Sequence, residues 1–266
     1  GGKLTGGKVT GNGGGGAIAL DDQQCIFNMY GGEISGNNGK NYGGAIFRKF
    51  NANMPNTTGG TFNMYGGTIK DNTAKNGGAF FSTTGGTINM TGGTISGNTA
   101  TMNSDNAGGG AIYMRGNGKI NISGSAQITG NSSSLDGGAI YLNQEPSWLI
   151  MQGGEISGNT ATGNGGGVYI YRTGSVCQLY SGKIENNKAS GNGGGIYINP
   201  SNSGQLRVGN KPLVQNNTVS GKANNVYLPS GKTLTIEIGM SKGVSIGVTT
   251  ANTSYPVAFS NDYKKD

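Results

Sequence analysis

The chain has 266 residues, 55 of them glycine; only 33% are hydrophobic and 12% charged, with 19 basic against 12 acidic side chains and no histidine. That composition excludes the thick apolar core of a conventional globule, and zero His with two Cys excludes a thiolate zinc cage and removes the commonest general base. The net charge of +7 is scattered without the basic stripe of a nucleic-acid binder, and no apolar run approaches the roughly 18 residues of a spanning helix, so neither nucleic-acid binding nor membrane insertion is expected.

In chain order, the opening residues Gly1-Gly2-Lys3-Leu4-Thr5 enter inside a repeat without a charged-then-apolar leader, which suggests a piece of a longer protein, monomeric in isolation. A first copy of the repeat ends at Asn12. The next reads Gly32-Glu33-Ile34-Ser35-Gly36-Asn37, followed by Gly67-Thr68-Ile69-Lys70-Asp71-Asn72 and Gly93-Thr94-Ile95-Ser96-Gly97-Asn98; further copies end at Asn131, Asn159, Asn187 and, degenerately, Asn217. After each asparagine comes a second element, such as Gly44-Ala45-Ile46, Gly110-Ala111-Ile112 or Gly138-Ala139-Ile140. A third precedes the next copy, as in Phe27-Asn28-Met29, Phe62-Asn63-Met64 and Ile120-Asn121-Ile122.

Short alternating segments rich in β-branched and aromatic residues, punctuated by Gly, Asn, Ser and Thr, read as strands and turns. Three strands in a repeat of this length are the pattern of one coil of a parallel β-helix. The expected fold is therefore all-β, a right-handed parallel β-helix of about eight three-stranded coils spanning 1–238. A C-terminal β cap is expected at 239–266, carried by Gly243-Val244-Ser245-Ile246-Gly247-Val248 and Tyr255-Pro256-Val257-Ala258-Phe259. Inward columns are expected through Ile34, Ile69, Ile95, Ile128, Ile156 and Ile184, through Ile46, Phe80, Ile112, Ile140, Val168 and Ile196, and through Phe27, Phe62, Ile88, Ile120, Leu149, Cys177 and Leu206. Asn37, Asn72, Asn98, Asn131, Asn159 and Asn187 should stack as an amide ladder at one corner, because buried amides need partners.

Residues after the buried second-strand position run Ala19, Phe47, Phe81, Tyr113, Tyr141, Tyr169, Tyr197, Tyr227. Alternation turns them outward, and two readings stay open: stacking that holds the register, or a platform for a glycan or a partner protein. Insertions at 48–58, 99–107 and 143–148 add loops, two of them beside this column, and Trp148 in the last is either a binding residue or a lid on the rod. Chemistry is thin. Asp105 and Asp136 on adjacent coils, with Arg115 across the second strand, form the best carboxylate cluster, and solvated turn acids are the plainer reading. Glu155 and Lys183 are read as a surface ion pair. The column Lys8, Glu33, Thr68, Thr94, Gln127, Glu155, Lys183 is too charged for an ice-binding face. No metal site or cofactor is expected. Cys25 and Cys177 lie five coils apart, about 24 Å, too far for a disulfide.

The pairing of Ile-x-x-Asn with Gly-Gly-Ala-Ile resembles the repeats of polymorphic outer membrane proteins and related bacterial adhesin-like β-helix proteins. Residues 221–232 are similar to the closing segment of large repeat proteins on the surface of anaerobic gut bacteria. The resemblance implies an extracellular or cell-surface β-helix serving as an adhesin or a stalk. The expected function is a non-catalytic rigid surface module for adhesion or display, with a glycan or a host- or neighbour-cell surface protein as partner. The alternatives are a polysaccharide lyase or glycoside hydrolase of the pectate-lyase-like fold, and a plain structural spacer.

Overall fold

The computed structural model describes residues 1–11, 13–20, 25–48, 60–83, 85–143 and 146–251. Within them every element is a strand, and no helix is long and apolar enough to cross a membrane. The strands form three sheets, of fifteen, nine and eight strands among the described residues, and nearly every pairing is parallel with the next copy of the repeat. The fold is a β-solenoid.

Several coils differ from the sequence expectation in having four short strands, laid on three sheets, rather than three. One coil runs Thr61–Met64, Thr68–Lys70, Thr73–Asn76 and Phe80–Ser82. The strand that periodicity missed lies just after the ladder asparagine, where segments such as Thr99–Ala100 and Lys188–Ala189 are only two residues long. The first two strands of a coil share one folded sheet; in Trp148–Ser157 and Val176–Glu185 they fuse into single ten-residue strands. The fold line is the glycine pair. Gly67 and Gly93 have φ of 86° and 78°, and a Cβ on Gly93 would stand 2.6 Å from the Met64 methyl and 3.0 Å from the backbone below. A Cβ there is disfavoured by the left-handed backbone and crowded by the Met64 methyl, although Ala126 stands at the equivalent corner one coil on.

The three expected inward columns form in register, as in Ile69↔Ile95↔Ile128 and Phe80↔Ile112↔Ile140. They join a fourth column, Met64, Met90, Ile122, Met151, Leu179 and Val208, in one continuous core. The first coil is offset from its sequence reading. Leu4, not Val9, pairs with Ile34, and Lys3, not Lys8, pairs with Glu33. Gly7 occupies the ladder position, its N–H donating to Asn37 Oδ1 at 2.9 Å; Asn12 lies outside the described residues. Periodicity also persists past 238. Ser245–Ile246 and Val248–Thr250 continue two columns, with Ile246 beside Val214 and Val248 beside Val226. The rest of the expected cap, Tyr255-Pro256-Val257-Ala258-Phe259, falls outside the described residues.

The ladder is continuous. From Asn37 to Asn187 each Nδ2 donates to the Oδ1 of the asparagine one coil on at 2.9 Å. The same Oδ1 accepts the backbone N–H below it at 2.9–3.0 Å. A residue that sequence reasoning passed over ends the series: Asn225 Oδ1 accepts from the Asn217 amide at 3.0 Å and from its N–H at 2.7 Å. All seven ladder side chains are buried. Cys177 is buried and Cys25 half-buried, both as free thiols, as the coil arithmetic requires.

Candidate functional site

The aromatic column leaves the coil interior, as alternation demands, but solvent does not reach it. Phe47, Phe81, Tyr113, Tyr141, Tyr169 and Tyr197 are each 9% exposed or less and form a second core on the outer side of their sheet, with Tyr227 and Tyr171 partly buried against it. The expectation of an exposed ribbon is thereby corrected. From Phe81 to Tyr227 the rings stack face to face at centroid separations of 4.8, 4.9, 5.0, 5.2 and 5.7 Å. The physical reason is that side chains outside the column close over it: Tyr42 packs on Phe47 and Phe81, and Tyr171 on Tyr141 and Tyr169. Tyr113 donates its hydroxyl to the Asn106 carbonyl at 2.9 Å, and Asn199 Nδ2 donates to the Tyr169 hydroxyl at 3.0 Å. Burial pushes the Tyr113 hydroxyl up to about 12 and raises those of Tyr141, Tyr169 and Tyr197 as well.

The carboxylates anticipated as catalytic sit in unlike settings. Asp105 is exposed on the turn that also holds Asn106. Asp136 is buried and serves as one rung of a second corner ladder: its Oδ1 accepts the Asn164 N–H at 2.7 Å, and Asn164 Oδ1 accepts the Asn192 N–H at 2.9 Å. Burial raises the Asp136 carboxyl above its usual range against those hydrogen bonds. Among the described residues no three His, Cys, Asp or Glu side chains group in a way that would hold a metal ion. Elsewhere, Lys183 turns to Glu185 at 3.9 Å rather than to Glu155 beside it. Glu33 is held down to about 2 by hydrogen bonds from Ser35, Lys3 and Lys70.

Where the second core meets the surface it opens into a pocket of about 250 Å³ lined by Tyr42, Asn76, Phe81, Asn106, Tyr113, Arg115, Asn143 and Arg172. Five coils contribute. Tyr42 and Asn76 end the short post-ladder strands Asn38–Tyr42 and Thr73–Asn76. Phe81 and Tyr113 come from the column, and Arg115 and Asn143 pair in register at the ends of Ile112–Arg115 and Ile140–Asn143. Tyr42 is 37% exposed and packs on Phe81 at 4.6 Å. Asn143 Nδ2 donates to the Tyr113 hydroxyl, while Asn143 Oδ1 is buried without a hydrogen-bond partner. A buried acceptor of this kind calls for a donor.

Of the expected binding residues this pocket gathers Phe81 and Tyr113, together with Arg115 from the carboxylate cluster. Trp148 does not join them. It lies half-buried on the folded sheet beside Lys119 and Val176, with the Arg207 guanidinium 6.0 Å from its ring. Sequence reasoning also missed Tyr30 and Tyr65, stacked at 4.9 Å and 74% and 48% exposed; the repeated Met-Tyr-Gly-Gly was their signal. Beyond them the fold line of the same sheet forms a shallow groove of about 420 Å³, floored by Gly124, Gly153, Gly154 and Gly182 and walled by Gln127, Glu155, Lys183 and Lys211.

Residues 92–115, 125–143 and 182–199 match the Chlamydia polymorphic membrane protein repeat. Each stretch runs from a ladder asparagine (Asn98, Asn131, Asn187) to a column tyrosine (Tyr113, Tyr141, Tyr197). The matched pattern therefore is the scaffold of the coil. Nothing matches among curated proteins or among solved structures. Three stretches of the β-solenoid are thus similar to the repeat of Chlamydia polymorphic membrane proteins.

Proposed function

We propose that this chain is a non-catalytic, rigid module of a bacterial surface protein, serving adhesion or display, and that it binds a glycan in the pocket on the flank of the rod. The observation that carries the reading is the unpartnered Asn143 Oδ1 in a wall that also holds the exposed Arg172 and the open ring of Tyr42. Sugars offer hydroxyl donors and an apolar C–H face together, which is what such a mixed wall accommodates. The column tyrosines then act as support: Tyr113 positions Asn143, and Phe81 backs Tyr42. Asp105 is exposed on a turn while Asp136 is buried as a ladder rung accepting from Asn164, unlike settings for an acid and its paired base or nucleophile.

A glycan array probed with the folded chain is expected to retain a defined set of structures, and Tyr42→Ala to weaken that binding by about tenfold or more with an unchanged unfolding midpoint. Retention of no glycan, or equal retention by the variant, would remove the reading and leave a spacer or a protein-docking rod.

A further inference from the structure

We infer that the fold line of the fifteen-stranded sheet is a further binding site, which takes an uncharged, unbranched β-1,4-linked glycan laid along the rod axis. It lies on a different sheet from the flank pocket, so it stands or falls apart from the reading above. The residues just before the glycine corners form one outward column. Tyr65 N–H donates to the Met29 carbonyl at 2.9 Å, Thr91 N–H to Met64 at 3.0 Å and Ser123 N–H to Met90 at 2.9 Å. With Gln152 and its partner Ser181 they follow the buried series from Met29 to Leu179 in register. Tyr30, Tyr65, Thr91, Ser123, Gln152 and Ser181 thus mark six successive coils, roughly 24 Å at a strand spacing of about 4.8 Å.

The groups on this line remain available. Tyr30 and Tyr65 lie 4.9 Å apart with planes 10° from parallel. That separation exceeds the roughly 3.5–4.0 Å of carbon contact, so the rings are offset and part of each face stays open. Their exposures of 74% and 48% are what remains with the stack made. The side chains of Thr91, Ser123 and Gln152 make no hydrogen bond among the described residues. Beyond them the line widens into the groove of about 420 Å³, whose walls carry both signs, Glu155 against Lys183 and Lys211. Aromatic faces at one end suit the C–H sides of sugars, and the hydroxyl and amide groups further along suit their hydroxyls. An extended β-1,4-linked chain advances by close to one coil spacing per sugar, so successive rings meet equivalent positions. A peptide finds less here: the strands at the corner pair with the coils on either side, leaving no backbone edge to extend.

Titration calorimetry of the whole chain with cellohexaose, chitohexaose and their disaccharides tests this. At least one hexasaccharide is expected to bind about tenfold or more tightly than its disaccharide, because added sugars meet added coils. The double variant Tyr30→Ala/Tyr65→Ala should weaken that binding by about tenfold with an unchanged unfolding midpoint. Tyr42→Ala, in the flank pocket, should leave it unchanged. Equal affinity for hexasaccharide and disaccharide would overturn the extended site. Loss of binding in Tyr42→Ala with none in the double variant would assign the sugar to the flank pocket and overturn the inference. Binding of neither hexasaccharide would overturn it too, while the proposed function would still be decided by the array and Tyr42→Ala.

Discussion

Replacing Asn131 by alanine is expected to lower the unfolding free energy by about 3–5 kcal/mol, far more than an exposed asparagine would. Its Oδ1 accepts the Asn98 N–H at 3.0 Å and the Asn98 Nδ2 at 2.9 Å, and its Nδ2 donates to the Ile95 carbonyl at 3.0 Å and to Asn159 Oδ1 at 2.9 Å. Truncation takes the acceptor from the Asn98 N–H and the side-chain donor from the Ile95 carbonyl, while Asn98 Nδ2 keeps the Ile69 and Ser96 carbonyls, and it opens a void at a corner where Asn98, Asn131 and Asn159 are 0–1% exposed. Each such group costs about 1–3 kcal/mol. Asn131→Asp is expected to be no better, since it keeps the shape but turns the donating end into an acceptor facing three oxygens, those of Ile95, Thr129 and Asn159. By contrast, the outer-face series Asn28, Asn63, Asn89 and Asn121 bonds in the same manner at 2.7–2.8 Å within reach of water, so Asn63→Ala should cost under about 1 kcal/mol. Chemical denaturation of the three variants checks the order; an Asn131→Ala cost as small as that of Asn63→Ala would mean that the ladder contributes no more than its surface counterpart.

The second large effect is expected at Tyr141, where alanine should cost about 3–5 kcal/mol. The ring is 1% exposed and lies between Tyr113 at 4.9 Å and Tyr169 at 5.0 Å, with Tyr171 at 5.7 Å. Its removal leaves an aromatic-sized void in a stack whose members touch mostly one another, and the covering loop has little apolar material to collapse into it. Thermal unfolding of Tyr141→Ala measures this. A loss below about 1 kcal/mol would indicate a ribbon already open to water. The same packing makes column truncations poor probes of binding, because they weaken the fold; Tyr42 and Arg172, at the surface, are the informative positions.

Much of the architecture is legible because a solenoid repeats one local decision. Ile69, Ile95 and Ile128 occupy equivalent positions, so the three-column core and the asparagine corner follow from alignment of the chain with itself. What local pattern leaves out is contact between non-equivalent parts of a coil. Alternation places Tyr141 outside the coil, and only its packing against Tyr113, Tyr169 and the off-column Tyr171 decides that it is covered. Two-residue strands such as Thr99–Ala100 are too short to show alternation. The first coil misleads because Gly6-Gly7-Lys8-Val9-Thr10 imitates a repeat start, whereas Leu4 has the partner that matters. The pocket is the least legible feature: Tyr42, Asn106, Asn143 and Arg172 occupy unmatched positions in four coils, and nothing in linear spacing brings them together.

The central claim is that the tyrosine column is a sealed second core and that recognition on that flank is confined to the pocket at its margin. An alkaline titration followed through the tyrosinate absorbance tests it most directly. Burial raises the hydroxyls of Tyr113, Tyr141, Tyr169 and Tyr197, the first to about 12. Each neutral phenol therefore contributes stability that is fully present below the unfolded value of about 10 and is lost as pH rises through the folded one. These four are expected to ionise above the ordinary tyrosine range, Tyr113 only near about 12, and the buried stack of Tyr113, Tyr141 and Tyr169 together with loss of the β signal in circular dichroism. Ionisation of all twelve tyrosines in one transition near pH 10, with the fold intact, would contradict it and return the column to the solvent.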